Sequence, residues 1–90
     1  MAIYVVLSDR PSPKLQANIE KEFPGDSHFL IAPNQWLISS DKVGQTISNE
    51  LSLPTNGVDA KAVVFRTTGA GWGWHSKALW EWLSVKSAEG

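Results

Sequence analysis

The sequence contains no cysteine, has no excess of positive charge and includes no long apolar run. Without cysteine there is no disulfide, no thiolate metal site and no cysteine nucleophile. Eight basic residues against nine acidic ones give a formal net charge of -1. Proteins that bind nucleic acid through its phosphates usually carry a basic excess, so nucleic acid is a disfavoured partner. No segment approaches the ~20 apolar residues that a membrane helix requires, and we expect no membrane insertion.

What the chain does contain is enough apolar sequence for one core. Ninety residues, 42% of them hydrophobic, predict a single domain over residues 1–90. The start of the chain is typical of a first strand and not of a signal peptide, because it lacks a basic region and its apolar run is short. We therefore expect a cytoplasmic protein, with no cofactor.

The hydrophobic pattern predicts four strands and three helices. The expected strands cover residues 2–8, 28–32, 35–39 and 60–67. Ser12 is expected to cap the first helix, Ser40 or Asp41 the second, and the third is expected from His75 to about Lys86. The apolar stripes are Leu15, Ile19 and Phe23 in the first helix and Val43, Ile47 and Leu51 in the second.

The element order β-α-β-β-α-β-α predicts an α+β fold, a ferredoxin-like two-layer sandwich with an additional C-terminal helix. Right-handed crossovers place strand 1 between strands 3 and 4, antiparallel to both. Helices 1 and 2 are expected on one face of the sheet, with Tyr4 and Val6 on the other. That second face needs a cover: helix 3, a second copy of the chain, or both.

Asp9 follows the first strand and precedes the first helix, a position suited to a metal or a polar ligand. One carboxylate cannot hold a catalytic Mg²⁺ tightly, because hard cations take several oxygen ligands. Two copies meeting at a dimer axis would supply a pair. The alternative is structural: Asp9 pairs with Arg10 or Lys14, or caps the turn at Ser12.

The segment 69–73, Gly-Ala-Gly-Trp-Gly, lies between a predicted strand and a predicted helix, where main-chain N–H groups can bind phosphate. Its spacing matches neither the dinucleotide fingerprint nor a P-loop. Lys77 and its neighbours could still bind an anion at the start of the helix. The alternative is a tight connection whose glycines let Trp72 and Trp74 pack inward.

Five tryptophans are many for a chain of this length. Trp82, together with Trp36 or Leu37, is predicted to lie in the core. Trp80 and one of the loop tryptophans are predicted to be exposed and to mark an interface. The candidate binding residues are therefore Trp72, Trp74, Trp80, Tyr4 and Lys77. His28 and His75 show no metal-ligand spacing.

Three segments resemble small bacterial proteins described as SinR-like: Val6-Leu7-Ser8-Asp9, the stretch 34–38, and the ending 79–83. That group resembles the small dimeric ferredoxin-like subunit of the CRISPR spacer-acquisition machinery. The resemblance implies a ferredoxin-like fold and a homodimer. In the CRISPR branch it also implies a strand-1 Asp linked to metal-dependent nuclease activity, and Asp9 matches it. This chain departs from that branch in its charge and in its Trp-rich final helix.

The sequence favours a non-catalytic binding or assembly module, acting as a homodimer or with a protein partner. The alternative is a metal-dependent nuclease or nucleic-acid-binding dimer centred on Asp9. A third hypothesis is binding of a small phosphate ligand at the loop 69–73.

Overall fold

The computed structural model describes residues 2–53, 59–67, 73 and 75–88, which form an α+β fold with a four-stranded antiparallel sheet and three α-helices. The elements in chain order are β1 Ala2–Ser8, α1 Pro13–Glu22, a 3₁₀ turn Gly25–Ser27, β2 His28–Ala32, β3 Gln35–Ser40, α2 Gly44–Glu50, β4 Ala62–Thr67 and α3 Lys77–Ala88. The predicted element order is confirmed. No helix in this described part of the chain combines the length and apolar character needed to cross a membrane.

The sheet has the strand order β2-β3-β1-β4. Strand β1 pairs antiparallel with both β3 and β4, which confirms its predicted central position. The C-terminal end of β1 is hydrogen-bonded to the β2–β3 turn, since the main-chain N–H of Ser8 donates to the Asn34 carbonyl at 3.0 Å. The Asn34 amide donates back to the Ser8 carbonyl at 3.1 Å.

Helix α1 begins as its sequence predicts. Ser12 is the N-cap, and its hydroxyl accepts a hydrogen bond from the Leu15 N–H at 3.1 Å. Pro13 occupies the first helical position, where its missing N–H costs nothing. The predicted stripe of Leu15, Ile19 and Phe23 is buried, so the period of this helix directs it onto the sheet.

Helix α2 begins differently from the prediction. Its N-cap is Val43, which makes no side-chain capping bond and is 65% exposed. The Ser40 hydroxyl instead accepts from the Lys42 N–H at 3.0 Å, within the turn that precedes the helix. The prediction that Val43 shares the buried stripe was therefore wrong, whereas Ile47 and Leu51 are fully buried.

The main core lies between the sheet and helices α1 and α2, on what we call the α1/α2 face. Tyr4 and Val6 belong to this core, with Trp36 and Ile38 beside them on β3. The prediction that Tyr4 and Val6 lie on the other face was wrong. Alternation along a strand says which residues share a face but not which face meets the helices.

The opposite side of the sheet, which we call the α3 face, holds a smaller core. Ile3, Leu37 and Leu79 are buried there. Half-buried apolar side chains pack around them: Val5, Phe29, Ile31, Trp82 and Leu83. Helix α3 thus covers part of the second face, as one of the predicted alternatives has it.

Candidate functional site

In the part of the chain that the structure describes, three apolar side chains of the sheet remain exposed on the α3 face, and we call them the β4 strip. Phe65 is 54% exposed, Val63 is 47% exposed and Leu7 is 38% exposed. They are neighbours because β1 and β4 pair Leu7 with Val63 and Val5 with Phe65. Alternation places these residues on the same side as Ile3 and therefore on the α3 face.

The β4 strip is exposed because α3 packs elsewhere on the same face. Its buried anchor, Leu79, groups with Ile3 and Leu37, and its half-buried Trp82 meets Phe29 of β2 at a ring-centroid distance of 6.1 Å. Helix α3 therefore lies over β1, β3 and β2. The β4 side of the sheet keeps a contiguous apolar surface, which in soluble proteins is typical of an interaction site.

Strand β4 is also an edge strand. Among the residues that the structure describes, it has a strand neighbour, β1, on one side alone. The opposite edge strand, β2, carries a register irregularity between Leu30 and Ala32 and is followed by Pro33. Such bulges and prolines discourage pairing with another chain. The β1–β4 register runs without interruption from Ala62 to Thr67, so the β4 edge lacks this protection.

The main-chain groups at the β4 edge alternate in direction. The Asp9 N–H donates to the Lys61 carbonyl at 2.8 Å, which fixes the phase of the antiparallel ladder. Because hydrogen-bonded and non-hydrogen-bonded positions alternate, Val63 and Phe65 direct their main-chain groups to β1. The groups directed away from β1 are those of Ala62, Val64 and Arg66.

Asp9 pairs with Arg10, as the structural alternative predicts, and it makes a second contact, with Lys61, that was not predicted. One carboxylate oxygen accepts from the Arg10 guanidinium at 3.2 Å, and the other accepts from the Lys61 N–H at 3.0 Å. The Arg10 hydrogen bond is the largest cause that holds the pKa of Asp9 below its ordinary value; desolvation opposes it, and the hydrogen bond from the Lys61 N–H adds to the lowering. A cation at Asp9 would compete with both donors.

Tyr4 does not lie on the surface where binding was expected. Its side chain is 4% exposed, and its hydroxyl donates to the Lys42 carbonyl at 2.7 Å. The ring also lies against the start of α2, where a Cβ added to Gly44 would meet the Tyr4 ring at 3.4 Å. Tyr4 therefore joins β1 to α2 inside the core.

Two further candidate residues, Trp80 and Lys77, lie in α3. Trp80 is half-buried, and Lys77 is exposed with its ammonium 3.6 Å from the Glu81 carboxylate. Trp72 and Trp74, with most of the loop 69–73, fall outside the described residues. The binding roles of these four residues stay predictions. Trp36 and Leu37 are both buried, and Trp82 packs in the α3 face core, as predicted.

A cleft of about 550 Å³ lies where β3 ends and β2 begins. There the buried Lys86 ammonium lies 3.3 Å from the Asp26 carboxylate. Within residues 2–53, 59–67, 73 and 75–88, no three His, Asp or Glu side chains are placed to hold a metal ion.

The sequence interpretation missed the β4 strip because it assigned the wrong face to Tyr4. The alternation along β4 shows in the sequence that Val63 and Phe65 share one face of the strand. Whether that face is exposed depends on where α3 lies. No protein-family model and no curated protein matches this sequence. The resemblance to SinR-like proteins therefore stays a prediction.

Proposed function

We propose that this chain is a non-catalytic binding or assembly module that acts through self-association or a protein partner at the β4 strip. The observation that carries the proposal is the exposure of Phe65, Val63 and Leu7 beside an unprotected edge strand. Burying such side chains stabilises an interface by roughly 25 cal/mol per Å² of apolar surface before the costs of association are counted. An open strand edge adds main-chain hydrogen bonds.

The proposal includes a ferredoxin-like architecture, with α3 as an addition to the β-α-β-β-α-β unit. The strand order β2-β3-β1-β4 and the antiparallel pairing of β1 with both neighbours support it. We also infer a cytoplasmic protein, for which the cysteine-free composition is the support. This architecture and a homodimer are what the SinR-like resemblance implies.

Light scattering on the wild type and on Phe65→Asp tests the proposal. We expect the wild-type mass to rise with concentration to that of a dimer. Phe65→Asp should remain a monomer over the same range, because its carboxylate would be desolvated in the interface. Circular dichroism should show that the variant keeps its fold, since Phe65 is exposed.

The matched control is Val43→Asp, which places the same charge on an exposed apolar residue outside the strip. Val43 is the N-cap of α2, a position where Asp is favoured, so this variant should fold and associate like the wild type. A wild type that stays monomeric at every concentration would contradict self-association. Association that survives Phe65→Asp would contradict the role of the strip.

A further inference from the structure

We infer that the partner at the β4 strip is a second copy of this chain, joined by two-fold antiparallel pairing of β4 with β4 and centred on Val64. This inference rests on the proposed function and specifies its partner and geometry. The two four-stranded sheets would become one continuous sheet of eight strands. The self-association proposed above requires no particular strand register. An experiment can therefore show that the β4–β4 pairing is wrong while self-association is right.

The first support is the arrangement of the β4 main chain. Ala62, Val64 and Arg66 direct their N–H and carbonyl groups away from β1, at every second residue of an uninterrupted strand. A second β4 running antiparallel presents the same alternation. Val64 then pairs with Val64 of the second copy, and Ala62 pairs with Arg66. All of these outward groups acquire hydrogen-bond partners within the sheet.

The second support is the match of side chains in this register. With Val64 on the axis, Phe65 lies opposite Val63 of the second copy, and Val63 lies opposite Phe65. These are non-hydrogen-bonded positions, where opposite Cα atoms are about 4.5 Å apart and side chains are closest. Both exposed side chains of β4 on the α3 face therefore meet an apolar neighbour, and the two contacts are identical by symmetry.

Neighbouring registers match less well. An axis at Arg66 sets two guanidinium groups against each other, and like charges directly opposite destabilise a pair. An axis at Val63 sets Phe65 opposite the exposed Lys61. An axis at Phe65 pairs the two phenyl rings but leaves each Val63 opposite Thr67. In the register centred on Val64, Arg66 lies opposite the small Ala62, which leaves room for its long side chain.

The charge of the strand also permits this pairing. Arg66 is the one charged residue between Ala62 and Thr67, and edge strands that avoid association typically carry several charges or a proline. The net charge of the chain is -1, so repulsion between two copies is small. We choose a second copy as the partner because β4 is complementary to itself in this register. A surface that binds a different protein has no need to match itself.

Because the chain has no cysteine, single-cysteine variants can report the register directly. We would prepare Val63→Cys, Val64→Cys and Phe65→Cys and oxidise each under conditions where the wild type is dimeric. In the proposed register the two Cα atoms of residue 64 are about 5.5 Å apart, within the range of a disulfide. Those of residues 63 and 65 are diagonal, about 7–8 Å from their own copies, and are too far.

We therefore expect a covalent dimer from Val64→Cys at least tenfold in excess of that from the other two variants. Preferential cross-linking of Phe65→Cys or Val63→Cys would move the axis and overturn the register. An independent measurement is amide hydrogen exchange in the unsubstituted chain. The amides of Ala62, Val64 and Arg66 should exchange more slowly as the dimer forms, whereas those of Val63 and Phe65 are already bonded to β1.

These results separate the two proposals. If the chain dimerises and Phe65→Asp abolishes the dimer, but Val64→Cys does not cross-link and the outward amides stay unprotected, the strip is an interface and the edge pairing is wrong. If the wild type does not dimerise at all, self-association and edge pairing both fail. If the dimer forms, cross-links through residue 64 and protects those amides, both hold.

Discussion

Asp9 lies where β1 ends, and both of its carboxylate oxygens accept hydrogen bonds from the surrounding chain. The residue also donates its own N–H to the Lys61 carbonyl. It therefore joins the end of β1 to the segment that leads into β4. The sequence showed that a carboxylate follows the strand, but the approach of Lys61, 52 residues away, is a property of the folded chain.

We predict that Arg10→Ala raises the pKa of Asp9, because the Arg10 hydrogen bond is the largest cause of its depression. A depressed folded pKa means that the ionised carboxylate stabilises the fold above the ordinary pKa of Asp, 3.8, and that this contribution is lost as the pH falls through the folded value. Carboxyl chemical shifts recorded by NMR during an acid titration would measure the change.

The control for this titration is Arg66→Ala, which removes a guanidinium from the other end of β4. It should leave the Asp9 titration unchanged. A pKa of Asp9 that is the same in Arg10→Ala as in the wild type would show that the ion pair is not maintained in solution. Asp9 and Arg10 are exposed, and exposed pairs of this kind contribute little to stability.

For Tyr4, the alternation along β1 was read correctly, but the residue was assigned to the wrong face of the sheet. Its alternation with Ile3 and Val5 is evident in the sequence, and all three are apolar enough for a core. In the structure Tyr4 meets α2 through its ring and donates its hydroxyl to Lys42. Tyr4→Ala would therefore open a cavity in the main core, and it is not a probe of surface binding.

Among the elements, α3 depends most on a few contacts. In the described part of the helix, Leu79 is the buried apolar side chain that anchors it to the sheet, and polar contacts join it to the 3₁₀ turn. The Trp82 indole donates to the Asp26 carbonyl at 2.9 Å, and the Lys86 ammonium lies 3.3 Å from the Asp26 carboxylate. The position of this helix decides which part of the α3 face stays open.

We predict that Leu79→Ala destabilises the fold by about 2 kcal/mol or more, because it removes a buried side chain and leaves a cavity. Chemical denaturation would measure the loss. The Trp82 indole proton should also exchange faster with solvent as α3 detaches. Val85→Ala on the same helix is the control, since Val85 is 54% exposed and should change stability by about 0.5 kcal/mol or less. Equal stability of the two variants would show that α3 is not anchored through Leu79.

Helices α1 and α2 differ in how far the local sequence specifies the residue at which each helix begins. Ser12 and Pro13 specify the start of α1 by local chemistry, and the prediction was confirmed there. The start of α2 follows a turn in which Ser40 accepts from Lys42, so its cap position moved to Val43. A capping residue has several nearby N–H groups within reach, and the packing of the turn selects among them.

For the whole molecule, the proposed dimer links stability to concentration. Folded protomers that associate are stabilised by mass action, whereas an unfolded chain gains nothing. We predict that the Tm of the wild type rises with protein concentration and that the Tm of Phe65→Asp does not. Differential scanning calorimetry over a hundredfold concentration range would measure it. A wild-type Tm that does not change with concentration would show that dimerisation contributes no measurable stability to the fold.

Local sequence patterns are sufficient to predict the elements, their order and the central place of β1. Hydrophobic period, the Ser12-Pro13 start and the short turn at Asn34 are local properties, and right-handed crossovers then restrict the topology. Tertiary structure alone decided which face of β1 meets α1 and α2, and how much of the other face α3 covers. The β4 strip follows from both decisions. Side chains alternate along a strand with a period of two whichever face is buried. Only the packing of Trp36, Tyr4 and the helices determines which face meets α1 and α2.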